Sequence, residues 1–141
     1  MARRFTLLLP DTVKLPNYIG ELKQATQRDG FISEWISNFH SELINPQTAT
    51  QSQDVVLYVL WHLNTPVAIG ALHDGVRLNL IYVPPRYRNQ GFGKAITIAL
   101  ASLVRSNGNT PTLNVSSNNT TALRLYTGLG FAPHYKKLAI G

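Results

Sequence analysis

The sequence predicts an α/β fold: one domain on a mixed, mostly antiparallel sheet flanked by helices, in the order β-α-α-β-β-β-α-β-α-β. Three observations carry this. Residues 54–83 read as three successive strands, "DVVLYVLWHL", "PVAIGALH" and "VRLNLIYV", rich in β-branched and aromatic residues. Residues 94–104 are apolar on nearly every side, the pattern of a helix buried against a sheet. A strand-like "TLNV" and a helix-like "NTTALRLYTGLG" then follow in alternation. A chain of 141 residues fits a single domain, residues 1–141, with a core large enough to fold without staples.

Each element has its own signal. Residues 3–9 form a first strand, and Pro10, Asp11 and Pro16 mark a turn-like stretch after it. Asn17 is placed to cap a first helix with Tyr18, Ile19, Leu22 and Ala25 on one side and Gly30 as its stop. A second helix carries Phe31, Ile32, Trp35, Ile36, Phe39 and Leu43 at helical spacing and ends at Asn45-Pro46. Residues 47–53 are a polar loop, and Asp74-Gly75 is a hairpin signal within the three-strand meander. Asn118 or Asn119 caps the last helix, whose inner face is Ala122, Leu125, Tyr126 and Leu129, with Gly130 as a left-handed cap. "FAPHYKKLAI" closes the chain as a strand.

Composition excludes several chemistries. With 44% hydrophobic and 14% charged residues the chain is an ordinary globular one. No apolar run is long enough for a signal-peptide core or a membrane span, so the expectation is a soluble, cytoplasmic protein without a membrane partner. The absence of cysteine removes disulfides, thiolate zinc sites and cysteine nucleophiles. His40, His62, His73 and His134 lack ligand spacing, so no metal is expected. The net charge of +6 is unevenly spread: all seven carboxylates lie at or before Asp74, while eight Lys or Arg and no acid follow. Such asymmetry marks either a polyanion site in the second half or a solvated basic surface.

The segment "YVPPRYRNQGFGKAITIAL" joins the last strand of the meander to the buried helix. A nucleotide-triphosphatase phosphate loop would need glycine where Arg88 stands and Ser or Thr where Ala95 stands. A dinucleotide fingerprint would need glycine at Ile96 and a later acid. What remains is a turn whose backbone N–H groups face an anion at a helix N-terminus, a site that suits a pyrophosphate; the alternative is a plain surface turn.

"VPPRYRNQGFGKA" resembles the acetyl-CoA pyrophosphate motif of the GNAT superfamily of N-acetyltransferases, at Val83, Pro84, Arg86, Arg88, Gly91 and Gly93. "NTTALRLYTGLGF" resembles the same family's later motif, at Asn119, Ala122, Leu125, Tyr126, Gly130 and Phe131. The likeness covers about residues 54–131 and implies a single-domain GNAT-like fold. It implies that backbone groups of Ile81, Tyr82 and Val83 hold the pantetheine arm of acetyl-CoA as an added strand. The turn amides of Gln90, Gly91, Phe92, Gly93 and Lys94 would take the pyrophosphate, with Arg88, Asn89, Asn119 and Tyr126 also lining the cofactor. Tyr126 would be the acid that protonates the departing thiolate, a role that suits a phenol with a pKa near 10; taken without the motif, it is a core residue on an apolar face. A backbone N–H near Tyr82 or Val83 would polarise the thioester carbonyl.

Two departures from the family stand out. The strand "VRLNLIYV" carries no acid, where many relatives place a glutamate base, so base duty passes to water, to His73 or Asp74, or to an acceptor that arrives neutral. Only ten residues follow Phe131, a shortened C-terminus that leaves room for a partner chain, such as a second copy in a homodimer. The leading expectation is acetyl transfer from acetyl-CoA to a primary amine of a small molecule or peptide, with Glu34, His73 and Asp74 on the acceptor side. The alternatives are a non-catalytic acyl-CoA-binding domain and acetylation of an amine borne by aminoacyl-tRNA. The lack of aromatic–basic interleaving argues against nucleic acid.

Overall fold

The computed structural model describes residues 3–26, 28–36 and 54–133. The expected second helix beyond residue 36, the 47–53 loop, the end of the closing strand, His40 and His134 lie outside the described residues. Strands β1 (Arg4–Leu8), β2 (Glu21–Gln24), β3 (Val55–His62), β4 (Thr65–His73), β5 (Arg77–Tyr82), β6 (Thr112–Ser116) and β7 (Ala132–Pro133) form one sheet in the order β2-β3-β4-β5-β6-β1-β7. All described pairings are antiparallel except β5 with β6. Helices α1 (Phe31–Ile36), α2 (Phe92–Ser106) and α3 (Thr120–Leu129) complete the described elements with a 3-10 turn at Pro85–Tyr87. No helix of the described residues is long and apolar enough to cross a membrane.

The meander forms as its sequence predicts. Leu63 and Asn64 both take positive φ, 49° and 62°, and so join β3 to β4 through a two-residue turn whose twist matches the strands. Asp74 and Gly75, with φ of 53° and 73°, open a three-residue connection that ends at Val76 between β4 and β5.

The expected helix over residues 17–30 is a correction: residues 21–24 form β2, an edge strand paired to β3 with Leu22 opposite Leu60. The reason lies in Gly20, whose φ is 93° and whose position leaves a Cβ only 2.8 Å from the carbonyl oxygen of Trp61. A chain pinned that close to β3 pairs with it, and tertiary pairing overrides the helical spacing of the apolar residues. Tyr18 and Ile19 end up exposed rather than on an inner face.

Two cores sit on opposite faces of the sheet. On one, α2 and α3 pack over Leu7, Leu72, Leu78, Leu113 and Val115. Ile96 and Leu100 of α2 are completely buried there, and each such side chain contributes about 1.5–3 kcal/mol on leaving water. On the other face, α1 inserts Ile32 and Trp35 against Leu57, Val59, Ile69 and Ala71, with Leu80 and Tyr82 at the margin. The Trp35 ring lies 6.3 Å from that of Tyr82, so α1 is seated directly on the strand that leads into the glycine turn.

Candidate active site

β5 is irregular where it matters. Between Ile69 and Ala71 of β4 it carries one extra residue, a bulge centred on Leu80, which takes φ 55°. Asn79 stabilises this conformation by accepting the Leu80 N–H on its side-chain oxygen at 2.9 Å. β5 pairs with β6 only through Arg77–Thr112 and Leu78–Leu113, and beyond Leu78 the strands part. The last residues of β5 therefore present backbone groups toward a gap in the sheet, which suits an extended guest.

From Val83 the chain turns at Pro84 and Pro85 and reaches Gly91, the N-cap of α2, whose φ of 86° and ψ of 8° are left-handed. A Cβ built on Gly91 meets nothing within 4 Å, so the space before the helix's free N–H groups is open. The turn is held from both sides. Arg88 donates from Nε to the Val83 carbonyl at 2.8 Å, and its guanidinium lies 5.7 Å from the centre of the Tyr82 ring. Phe92 is buried against His62 and Tyr87. Thr97, fully buried, donates to the Gly93 carbonyl at 2.7 Å and stiffens the first turn of α2. Asn89 takes φ 62°, Gln90 donates to the Arg86 carbonyl at 3.3 Å, and Lys94 is exposed. These donors, the helix dipole and the open approach fit a pyrophosphate.

Asn119 caps α3, its side-chain oxygen accepting the Ala122 N–H at 3.1 Å, which leaves the amide nitrogen for a ligand. Tyr126 sits two turns along α3 with its ring 6.0 Å from that of Phe131. Burial pushes its phenol above the ordinary value of 10, and its hydroxyl has no hydrogen-bond partner among the described residues. A buried, protonated hydroxyl is a competent proton donor.

The acceptor-side residues are divided. Glu34 joins Trp35, Tyr82, Pro84, Pro85 and Arg86 around a cleft of about 340 Å³ beside the turn. His73 and Asp74 lie at the far end of β5, with His73 opposite Arg77, five residues and roughly 16 Å from Tyr82. The His73 Nε2 is 3.0 Å from the Asn79 amide nitrogen, which donates to it, so that ring nitrogen is engaged in its neutral form. Burial lowers the His73 pKa, Arg77 lowers it further, and Asp74 opposes the shift. Sequence reasoning missed Arg77 and Asn79, whose only signal was the alternation of polar and apolar residues in "VRLNL". Among the described residues there is no group of three or more His, Asp or Glu able to hold a metal ion.

Known proteins place this architecture. A putative acetyltransferase of the GNAT family from Novosphingobium aromaticivorans superposes with a TM-score of 0.69 at 17% identity, covering 95% of this chain and 62% of that one. The ribosomal-protein-S18-alanine N-acetyltransferase of Escherichia coli superposes with a TM-score of 0.67 at 22% identity, covering 83% and 80%. AAC(6')-Iy, solved in complex with the bisubstrate analog CoA-S-monomethyl-acetylneamine, gives 0.62 at 14% identity, covering 86% and 96%. The chain thus spans less than two thirds of the first of these, and no curated protein matches it at the sequence level. The chain has the fold of these GNAT acetyltransferases. Residues 62–139, more than half of the chain, match the family described as FR47-like protein, and the chain belongs to that family.

Proposed function

We propose that the protein transfers an acetyl group from acetyl-CoA directly to a primary amine of a small molecule or peptide. The observation that carries this reading is the gap after Leu78, which runs straight into the open helix N-terminus at Gly91. Ile81, Tyr82 and Val83 offer ladder groups to the pantetheine arm, the amides of residues 90–94 hold the pyrophosphate, and the Asn119 amide lies alongside. Bound acetyl-CoA supplies an activated thioester. A backbone N–H of Tyr82 or Val83 takes the charge that develops on the carbonyl oxygen. Tyr126 gives its proton to the departing sulfur as the new N–C bond forms and the C–S bond breaks, the amine releases one proton to water, and water returns one to the Tyr126 phenolate.

The absence of an acid from β5 favours a second reading, an acyl-CoA-binding domain without turnover. One experiment separates them: acetyl-CoA titrated by calorimetry, with thiol release followed across small amines, peptides and aminoacyl-tRNA. Binding with turnover supports the transferase, binding without turnover on any amine supports the second reading, and no binding at millimolar acetyl-CoA overturns both.

A further inference from the structure

Among the described residues the two faces of the sheet are unequally covered. α2 and α3 occupy one face along its length, whereas α1 reaches only β3, β4 and the end of β5 on the other. Across β5, β6 and β1 that second face is polar, because Arg77, Asn79, Asn114 and Arg4 alternate with the buried Leu78, Leu113, Val115 and Leu7. A cleft of about 290 Å³ lies there, lined by Arg4, His73, Arg77, Asn79, Leu80 and Asn114. Its amides are held from within: Asn79 bridges Leu80 and His73, and the Asn114 side-chain oxygen accepts the Thr6 hydroxyl at 2.9 Å. Its charges are not. Neither Arg4 nor Arg77 forms an ion pair with a carboxylate of the described residues.

Resting on the acetyl-transfer reading, we propose that this cleft binds a carboxylate of the acceptor, and that the acceptor is a short peptide acetylated at its N-terminus and held by its C-terminal carboxylate. Two unpaired guanidinium forks beside the Asn114 amide match a planar, acceptor-only group. Leu80, on the same face, gives its carbon skeleton an apolar wall. Beyond the cleft, Leu80 and Tyr82 continue along the same face of β5 at the margin of the α1 core, toward the glycine turn. Because of the bulge, Asn79 to Tyr82 advances only as far as the two steps from Ala71 to Ile69, roughly 7 Å of strand. An extended peptide of about two to three residues covers that distance.

The test uses triglycine and its C-terminal amide as acceptors. For the intact protein KM should be about 10- to 100-fold lower for the acid than for the amide. Arg77→Met, which keeps the stem and removes the charge, should raise the KM of the acid by that factor and leave the amide unchanged. Arg4→Met, at an exposed position on β1, should act in the same direction and guards against a folding defect in the first variant. A readout free of turnover is the Nε–H resonances of the arginines in the intact protein, titrated with N-acetyl-triglycine and with its amide. The acid alone should shift two of them, and Arg77→Met should abolish one of these responses. Equal responses to acid and amide, no response to the acid up to about 10 mM, or a response to inorganic phosphate without one to the acid each overturn the proposal. Acetyl-CoA calorimetry on the same samples scores the transferase reading separately.

Discussion

Arg88 turns back from the glycine loop and donates its Nε to the carbonyl of Val83, 2.8 Å away, closing the loop onto the strand that feeds it. The residue thus holds the turn ahead of α2 through geometry as well as charge. Arg88→Ala should weaken acetyl-CoA binding about tenfold, the worth of one charge-assisted hydrogen bond, with little change in melting temperature. Arg88→Lys keeps the charge but not the Nε donor, and should restore less than half of the lost binding free energy by calorimetry. Full restoration by lysine would show that charge alone matters.

Gly91 and Gly108 share a left-handed φ, 86° and 81°, and open space where a Cβ would stand. Alanine at either should cost about 1–2 kcal/mol of backbone strain and lower the melting temperature by several degrees. Only at Gly91 does the added methyl fill the approach to the α2 amides, so Gly91→Ala should lose more than tenfold in acetyl-CoA affinity and Gly108→Ala none. Equal affinities in the two variants would remove Gly91 from the binding site.

Tyr126→Phe retains the ring that packs on Phe131 and removes only the proton. Turnover should fall by roughly 10²-fold with cofactor affinity unchanged. Because burial raises the phenol's pKa, the group stays protonated past pH 10, so turnover of the intact protein should climb from pH 7 to 10 as the acceptor amine loses its proton, with no alkaline fall from Tyr126. The raised pKa also contributes stability that is present below about pH 10 and lost above it, which alkaline melts of the two proteins would compare.

His73 carries the opposite sign. Burial and Arg77 lower its pKa, so its contribution to stability is present above about pH 6.5 and lost on acidification as the unfolded chain takes up a proton first. The melting temperature of the intact protein should drop between pH 7 and 5, and that of His73→Gln should drop less. Parallel curves would mean that Asp74 cancels the shift.

Much of the architecture around the glycine turn is legible in the sequence because its signals are local. Gly91, Asn119 and Gly130 act through their own backbone or their immediate neighbours, and the periodicity of residues 94–104 survives any packing. Residues 17–30 misled because Tyr18, Ile19, Leu22 and Ala25 have helical spacing, while the deciding contact is Gly20 against Trp61 in another strand. The basic cleft was illegible for a related reason: the Thr6–Asn114 hydrogen bond that builds it joins residues 108 positions apart. No window on the sequence brings Arg4 beside Arg77.

The same pairing sets the order in which the molecule can be assembled. β1 is synthesised before every other described strand, yet its partners are β6 and β7, the last ones described, with Arg4 opposite Ser116. Closing so long a loop is entropically costly and slow relative to forming the local β3-β4-β5 meander. The meander can therefore nucleate on the ribosome while β1 waits, an unpaired strand with alternating apolar residues and two arginines at its head. Until β6 arrives, that strand is the part of the nascent chain most open to a chaperone or to a second chain.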